Sequence, residues 1–287
     1  MATTTTTTLT KLALSLTLVH AVCASRQILQ AAGASSICAG VSQYIIAPSY
    51  VYPNCSITTP SCAWYSFSNG ADYVIINPNS GPGTTANSDY VNLVSDIRAS
   101  TETFITTILG YVATTYGAKS EAAVNAETDL YNSVYKVDGI FFDEASTDCT
   151  LTSYYSNIVT HVQDTTMSPT GQDYTILNWG TNGPECFLLN TSGNVPADNF
   201  VTFENSHASY ASYAPHAYMA NYDPARFYHI VYNVTEANLI STMTKSKQFR
   251  AGRVYVTNDD LPNPYDTAPT PFTSYWEAEV EKAAASC

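Results

Sequence analysis

Three carboxylates in this chain stand where apolar runs end. Gly139-Ile140-Phe141-Phe142 leads directly into Asp143 and Glu144, and Phe200-Val201-Thr202-Phe203 leads into Glu204. Opposed carboxyl groups are the equipment of glycoside hydrolysis: one protonates the leaving oxygen while the other attacks the anomeric carbon or activates water. Crowding of acids raises the pKa of one of them and keeps it protonated near neutrality. Other strand-like runs also end in polar residues, among them Asn77 and Asn79, Tyr111, Asn178, Asn205, Tyr232, Asn258 and Asp259. Amides and phenols hydrogen-bond sugar hydroxyls, and aromatic faces stack on pyranose rings. With 22 Tyr against 10 Phe, many of the aromatics carry a polar tip. Blander readings exist for each acid. Asp143 or Glu144 would cap a following helix, Glu204 would pair with Arg226 or Arg253, or the acids would bind Mg²⁺ or Ca²⁺ through oxygen, although no EF-hand spacing is present.

Such residues act together only if the chain brings the strand ends to one place. Eight apolar strand candidates can be read: Tyr44 to Ala47, Tyr73 to Ile76, Phe104 to Leu109, Gly139 to Phe142, Tyr174 to Leu177, Phe200 to Phe203, Tyr228 to Tyr232 and Arg253 to Val256. Helical spacings of three and four fill most gaps, as in Tyr90, Leu93, Val94 and Ile97, in Ala122, Ala126, Leu130 and Val134, in Tyr154, Ile158 and Val162, and in Leu239 with Met243. A last helix is expected over Thr273 to Ala285, and the gaps after the first, fifth and sixth strands are the weakest helically. Strands alternating with helices indicate parallel βαβ units. Eight of them predict a single-domain α/β fold, a closed (β/α)8 TIM barrel, whose strand C-termini share one mouth. An open doubly wound sheet is the alternative, but no Gly-x-Gly-x-x-Gly follows the first strand. The loop Asn77 to Gly83 is rich in turn residues and has no Walker lysine. No Gly-x-Ser-x-Gly elbow supports a serine nucleophile.

Residues 1–24 read as a signal peptide, with Lys11, an apolar stretch from Leu12 to Val22 and small residues at Val22-Cys23-Ala24. The stretch is short for a membrane span. Removing it from the 287 residues leaves 263, a length that suits one barrel, and shifts the net charge from −13 to −14 because Lys11 goes with it. Residues 25–40 are expected to be a tail and 41–287 the barrel. The acidic balance argues against nucleic acid and anionic membranes as partners. Six cysteines remain, Cys38, Cys55, Cys62, Cys149, Cys186 and Cys287, enough for three disulfides whose pairing the sequence leaves open. Cys55 and Cys62 are near enough to close a small loop, and Cys287 is placed to tie down the last helix. Sequons at Asn54, Asn190 and Asn233 agree with secretion from a eukaryotic cell. No metal or other cofactor is expected, since no His or Cys falls at zinc-site spacing.

Motifs in order along the chain resemble the spherulin-4 family, which includes glycoside hydrolase family 135. They are Ile76-Asn77-Pro78-Asn79-Ser80-Gly81-Pro82-Gly83, Gly110-Tyr111-Val112-Ala113-Thr114-Thr115-Tyr116-Gly117, Val137-Asp138-Gly139-Ile140-Phe141-Phe142-Asp143-Glu144, Val201-Thr202-Phe203-Glu204, and Asn263-Pro264-Tyr265-Asp266 followed by Ser274-Tyr275-Trp276. The resemblance implies a secreted (β/α)8 barrel that hydrolyses internal bonds in α-1,4-linked N-acetylgalactosamine, as in fungal galactosaminogalactan. It puts the catalytic acids on Asp143, Glu144 and Glu204. Two positions depart from the family pattern: Leu177-Asn178-Trp179-Gly180-Thr181 stands where Asn-Pro-Gly-Thr is expected, and Tyr232-Asn233 where a His is expected.

The sequence therefore predicts a secreted, monomeric, endo-acting glycoside hydrolase with a polysaccharide substrate. Asp143 is assigned as nucleophile or electrostatic stabiliser, Glu204 as general acid/base and Glu144 as a residue that tunes the pair. Substrate contacts are assigned to Asn77, Asn79, Tyr111, Tyr116, Asn178, Trp179, Asn205, Tyr232, Asn258 and Asp259. The alternative is a catalytically silent carbohydrate-binding or wall-associated barrel.

Overall fold

A computed structural model describes residues 42–165, 167, 173–189 and 197–285. The segments expected to be a signal peptide and tail, Cys38, the Asn190 sequon and Cys287 lie outside the described residues. Eight parallel strands close into one barrel in sequence order: β1 (Tyr44–Pro48), β2 (Tyr73–Ile76), β3 (Thr107–Ala113), β4 (Gly139–Asp143), β5 (Tyr174–Asn178), β6 (Asn199–Ser206), β7 (Phe227–Tyr232) and β8 (Arg253–Val256). The fold is the expected (β/α)8 barrel. Each strand expected from the sequence is present, with β3 beginning later and β6 running further than its apolar letters. The strands read as continuous apolar runs because a parallel sheet is covered on both faces; Ile140, Phe141 and Phe142 of β4, for example, are all buried.

Helices cover the outside where the gaps were long. Ser88–Ala99 buries Tyr90, Leu93, Val94 and Ile97, and Asn87 caps it by accepting from Asp89 N. Glu236–Gln248 buries Leu239 and Met243. Among the described residues, the gaps after β1, β5 and β6 hold only short turns of helix: Ala63–Ser68 after β1, Glu185–Phe187 after β5, and His207–Tyr210, Ala217–Asn221 and Pro224–Arg226 after β6. One stripe was misjudged. Ala122 and Ala126 are exposed, and the helix Glu121–Leu130 packs on Val124 and Thr128, continuing into buried Tyr131 and Tyr135. Two tyrosines bring far more apolar area than two alanines, so they set the buried face. The last helix also starts differently, as a π turn over Phe272–Trp276 that passes into Glu277–Ala284.

Among the described residues there are two disulfides, Cys55–Cys62 and Cys149–Cys186. The second ties the segment after β4 to the segment after β5. Among the described residues no helix is long and apolar enough to cross a membrane.

Candidate active site

The strand C-termini converge on Asp143 and Glu204, and one side chain joins them. Asn178, the last residue of β5, donates from Nδ2 to Asp143 Oδ1 at 2.7 Å and to Glu204 Oε2 at 2.6 Å. Its Oδ1 accepts from Gly180 N at 2.9 Å. That contact fixes the amide orientation, because only the NH₂ end can serve two carboxylates. Gly180 sits at φ 64°, a left-handed conformation that glycine adopts without strain, and its carbonyl in turn accepts from Glu204 N at 2.9 Å. One nitrogen within hydrogen-bond distance of both acids limits their nearest oxygens to about 5.3 Å apart, the sum of the two contacts.

Each carboxylate has a second, phenolic donor. Tyr111 of β3 donates to Asp143 Oδ2 at 2.7 Å, and Tyr265, on the loop after β8, donates to Glu204 Oε1 at 2.5 Å. Tyr50, two residues past β1, stands between these phenols, edge-on to both rings at 5.7 Å. Its backbone N–H donates to the carbonyl of Tyr265 at 3.1 Å. Burial and the neighbouring acids push all three phenols above their ordinary pKa, so they remain protonated donors. Burial and the charge of Asp143 also raise the pKa of Glu204, while the bonds from Tyr265 and Asn178 oppose the rise.

The local backbone explains how these groups are aimed. Gly139 begins β4 because a Cβ there would lie 1.8 Å from the carbonyl oxygen of Tyr174 on β5. β6 has an irregular register against β7 between Val201 and Phe203, just before Glu204; such irregularities re-aim side chains at barrel rims. After Asp143 the chain turns through Glu144 at φ 51°, against a neighbouring turn with Thr115 at φ 50° and Tyr116 at φ 54°. Buried Thr114 ties the two turns together. Its Oγ1 donates to the carbonyls of Asp143 and Glu144 at 3.0 and 2.8 Å, and Tyr116 N donates to the Glu144 carbonyl at 2.7 Å. Left-handed non-glycine residues carry strain that clusters at functional sites.

The blander readings of the acids do not match this geometry. The turn of helix after β4 is capped by Asp148 rather than by Asp143 or Glu144. Arg226 lies over the Phe200 ring and Arg253 over Tyr44, where β7 and β8 begin, the opposite end of the strands from Glu204. The remaining assigned residues are spread more widely. The half-exposed carboxylate of Glu144 makes no hydrogen bond among the described residues. Tyr116 is exposed on the rim. Asn205 accepts from Tyr232 at 3.3 Å. Asn77 accepts from Gly81 N and shapes its own loop. Asn258 braces Thr270, and Asp259 accepts from Thr267. Trp179 does not offer a free ring: it is 6% exposed and stacks on Phe200 with Phe187 at its edge. His229, the histidine that β7 does hold, is buried and bonds Tyr210 through Nδ1, with burial lowering its pKa to about 3.

Sequence reasoning missed Tyr50 and Tyr265 as site residues. Tyr265 was visible within the Asn263-Pro264-Tyr265-Asp266 motif, and Tyr50 follows the end of the first strand, the one end whose residues had not been considered.

A closed (β/α)8 barrel with paired carboxylates at its C-terminal mouth defines the class of protein. Residues 44–283 match the Spherulin4 family, described as spherulation-specific family 4, and the chain belongs to that family. Spherulin-4 of Physarum polycephalum is 33% identical over 231 residues, which cover 75% of this chain and 63% of that protein. The match thus spans less than two thirds of its relative's length. Among solved structures, Sph3 of Aspergillus clavatus in complex with GalNAc superposes with a TM-score of 0.68 at 23% identity, covering 86% of this chain and 99% of that one, and agrees in fold.

Proposed function

We propose that this protein is a secreted glycoside hydrolase that cleaves internal α-1,4 linkages in a polysaccharide containing N-acetylgalactosamine. The observation that carries the reading is the bridge from Asn178 to both Asp143 and Glu204. It keeps the nearest oxygens of the two acids no more than about 5.3 Å apart, which favours the close pair of retaining glycosidases, roughly 5–5.5 Å, over the roughly 6.5–9.5 Å of inverting ones. The family membership and the GalNAc bound by Sph3, which shares the fold, support the choice of sugar. The disulfides and the leader-like first 24 residues support secretion.

In this mechanism Glu204 holds the proton, since burial and Asp143 both favour its neutral form. Each of its oxygens has two lone pairs, so accepting from Tyr265 and Asn178 leaves room for that proton. Asp143, ionised and oriented by Tyr111 and Asn178, attacks the anomeric carbon. The glycosidic C–O bond breaks as Glu204 protonates the departing oxygen, leaving a glycosyl ester on Asp143. Glu204, now a carboxylate, takes a proton from water as that water attacks the anomeric carbon and releases Asp143. Glu144 acts through the field at Tyr111, whose pKa it helps to raise, and through the turn that it shares with Asp143.

The test is incubation of the purified protein with galactosamine-containing and other wall polysaccharides, with mass analysis of released oligosaccharides. Release that is abolished by Asp143→Asn and by Glu204→Gln supports the enzyme. Retained binding with no release by the wild type would make the protein a silent carbohydrate-binding barrel.

A further inference from the structure

The mouth of the barrel holds a second recess, away from the acid pair. Tyr52, in the loop after β1, and residues 78–89, which run from the end of β2 to the next helix, enclose a cleft of about 430 Å³. That volume is within the roughly 300–1,000 Å³ typical of small-molecule sites. In the strand order β2 stands opposite β6, which carries Glu204, so the cleft lies on the far side of the mouth from the general acid.

Its lining is built for a neutral polar ring. Tyr52 is 47% exposed, unusual for so large an aromatic, yet it is held in place. Its OH donates to Asp89 Oδ2 at 2.5 Å, and its ring stands edge-on to buried Tyr90 at 5.8 Å. The carboxylate of Asp89, the only charged group of the lining, is thereby engaged. Asn87 uses its Oδ1 to cap the helix and its side chain also hydrogen-bonds the Tyr52 phenol, whereas the side-chain amide of Asn79 makes no hydrogen bond among the described residues. The wall behind them is braced: Tyr135 donates to the carbonyl of Pro82 at 2.8 Å and accepts from Asn87 N at 3.1 Å. A fixed aromatic face with the free amide of Asn79 beside it suits a pyranose, which offers an apolar ring face and equatorial hydroxyl or acetamido groups. The bracing lowers the ordering cost of binding.

We propose that this cleft is a second sugar subsite, in which Tyr52 stacks on a neutral pyranose of the substrate chain remote from the bond being cut. The inference rests on the glycoside hydrolase reading and deepens it. It makes the enzyme one that grips a polymer chain beyond the sugars flanking the cut bond and cuts within it.

The experiment uses Glu204→Gln protein, to prevent cleavage, titrated calorimetrically with α-1,4-linked N-acetylgalactosamine disaccharide and octasaccharide. Adding Tyr52→Ala is expected to weaken octasaccharide binding at least about tenfold and disaccharide binding less than about twofold. Tyr52→Phe, which keeps the ring, is expected to restore most of the octasaccharide affinity. Thr85→Trp, an exposed position that would fill the cleft, gives a second route to the same loss if Tyr52→Ala does not fold. Equal losses for both ligands, or none for either, would overturn the subsite while leaving the hydrolase reading intact. Binding of neither ligand, together with no cleavage by the wild type, would overturn both.

Discussion

Replacing Asn178 by alanine is expected to move the basic limb of the pH profile of activity toward alkali. The amide donates to both acids, whose nearest oxygens lie at most about 5.3 Å apart. At that distance two full charges repel by at least about 3 kcal/mol at an effective dielectric near 20, which together with burial holds the Glu204 pKa up. A hydrogen bond to a charged group contributes about 1.5–3 kcal/mol, and the bond from Asn178 is one of the two that oppose this rise. Its loss therefore raises the Glu204 pKa further, and the basic limb, which reports loss of the Glu204 proton, moves up with it. Tyr265→Phe removes the other donor to Glu204 and should move the same limb in the same direction. The assay is kcat/KM for oligosaccharide release measured across pH. A basic limb at an unchanged position in Asn178→Ala, or one shifted toward acid, would refute the idea that this amide sets the ionisation of Glu204.

Three further outcomes follow from the surroundings. Glu279 is fully buried against β8, accepts from Val256 N at 2.9 Å, and has its pKa raised by burial; a raised folded pKa contributes stability at low pH that is lost as pH climbs through it. Glu279→Gln keeps that acceptor, so its thermal midpoint should decline less toward alkaline pH than the wild type's, and parallel slopes would contradict this. Removing the Cys149–Cys186 disulfide by paired serine substitution frees a 37-residue separation, for which the chain-entropy account gives a loss of about 4 kcal/mol, measurable by denaturant unfolding. Thr114→Val deletes the hydroxyl that ties the Asp143 and Glu144 carbonyls; a cost of about 1–2 kcal/mol is expected, with kcat falling more than KM changes, and an equal stability loss with unchanged kcat would make Thr114 merely structural.

The barrel was legible because each strand is buried on both faces and so spells a continuous apolar run, as in Tyr73 to Ile76 and Arg253 to Val256. Asp143 and Glu204 were legible as polar letters that end such runs. What could not be read was which polar groups meet. Asn178 appears in sequence as one more strand-end amide; its position between two acids depends on how β4, β5 and β6 stagger and on the turn at Gly180. Tyr265 reaches Glu204 from a loop far along the chain, where no local period operates. Trp179 reads as a sugar platform from its place after β5, yet the turn sends its ring down onto Phe200, and apolar packing wins over exposure. The helix face at Tyr131 and Tyr135 was misread for a related reason: an Ala stripe has the right period, but the larger tyrosines control the packing.

The most direct test of the account is trapping and identifying the sugar ester on Asp143. A fluorinated N-acetylgalactosaminyl donor with a good leaving group, incubated with the protein and followed by peptide mass analysis, should label Asp143, and Glu204→Ala should slow labelling by substrates that need protonation of the leaving oxygen. Labelling of Glu204 or Glu144 in place of Asp143, or a product of inverted anomeric configuration with no labelled peptide, would contradict the assignment of Asp143 as nucleophile beside Glu204 as acid.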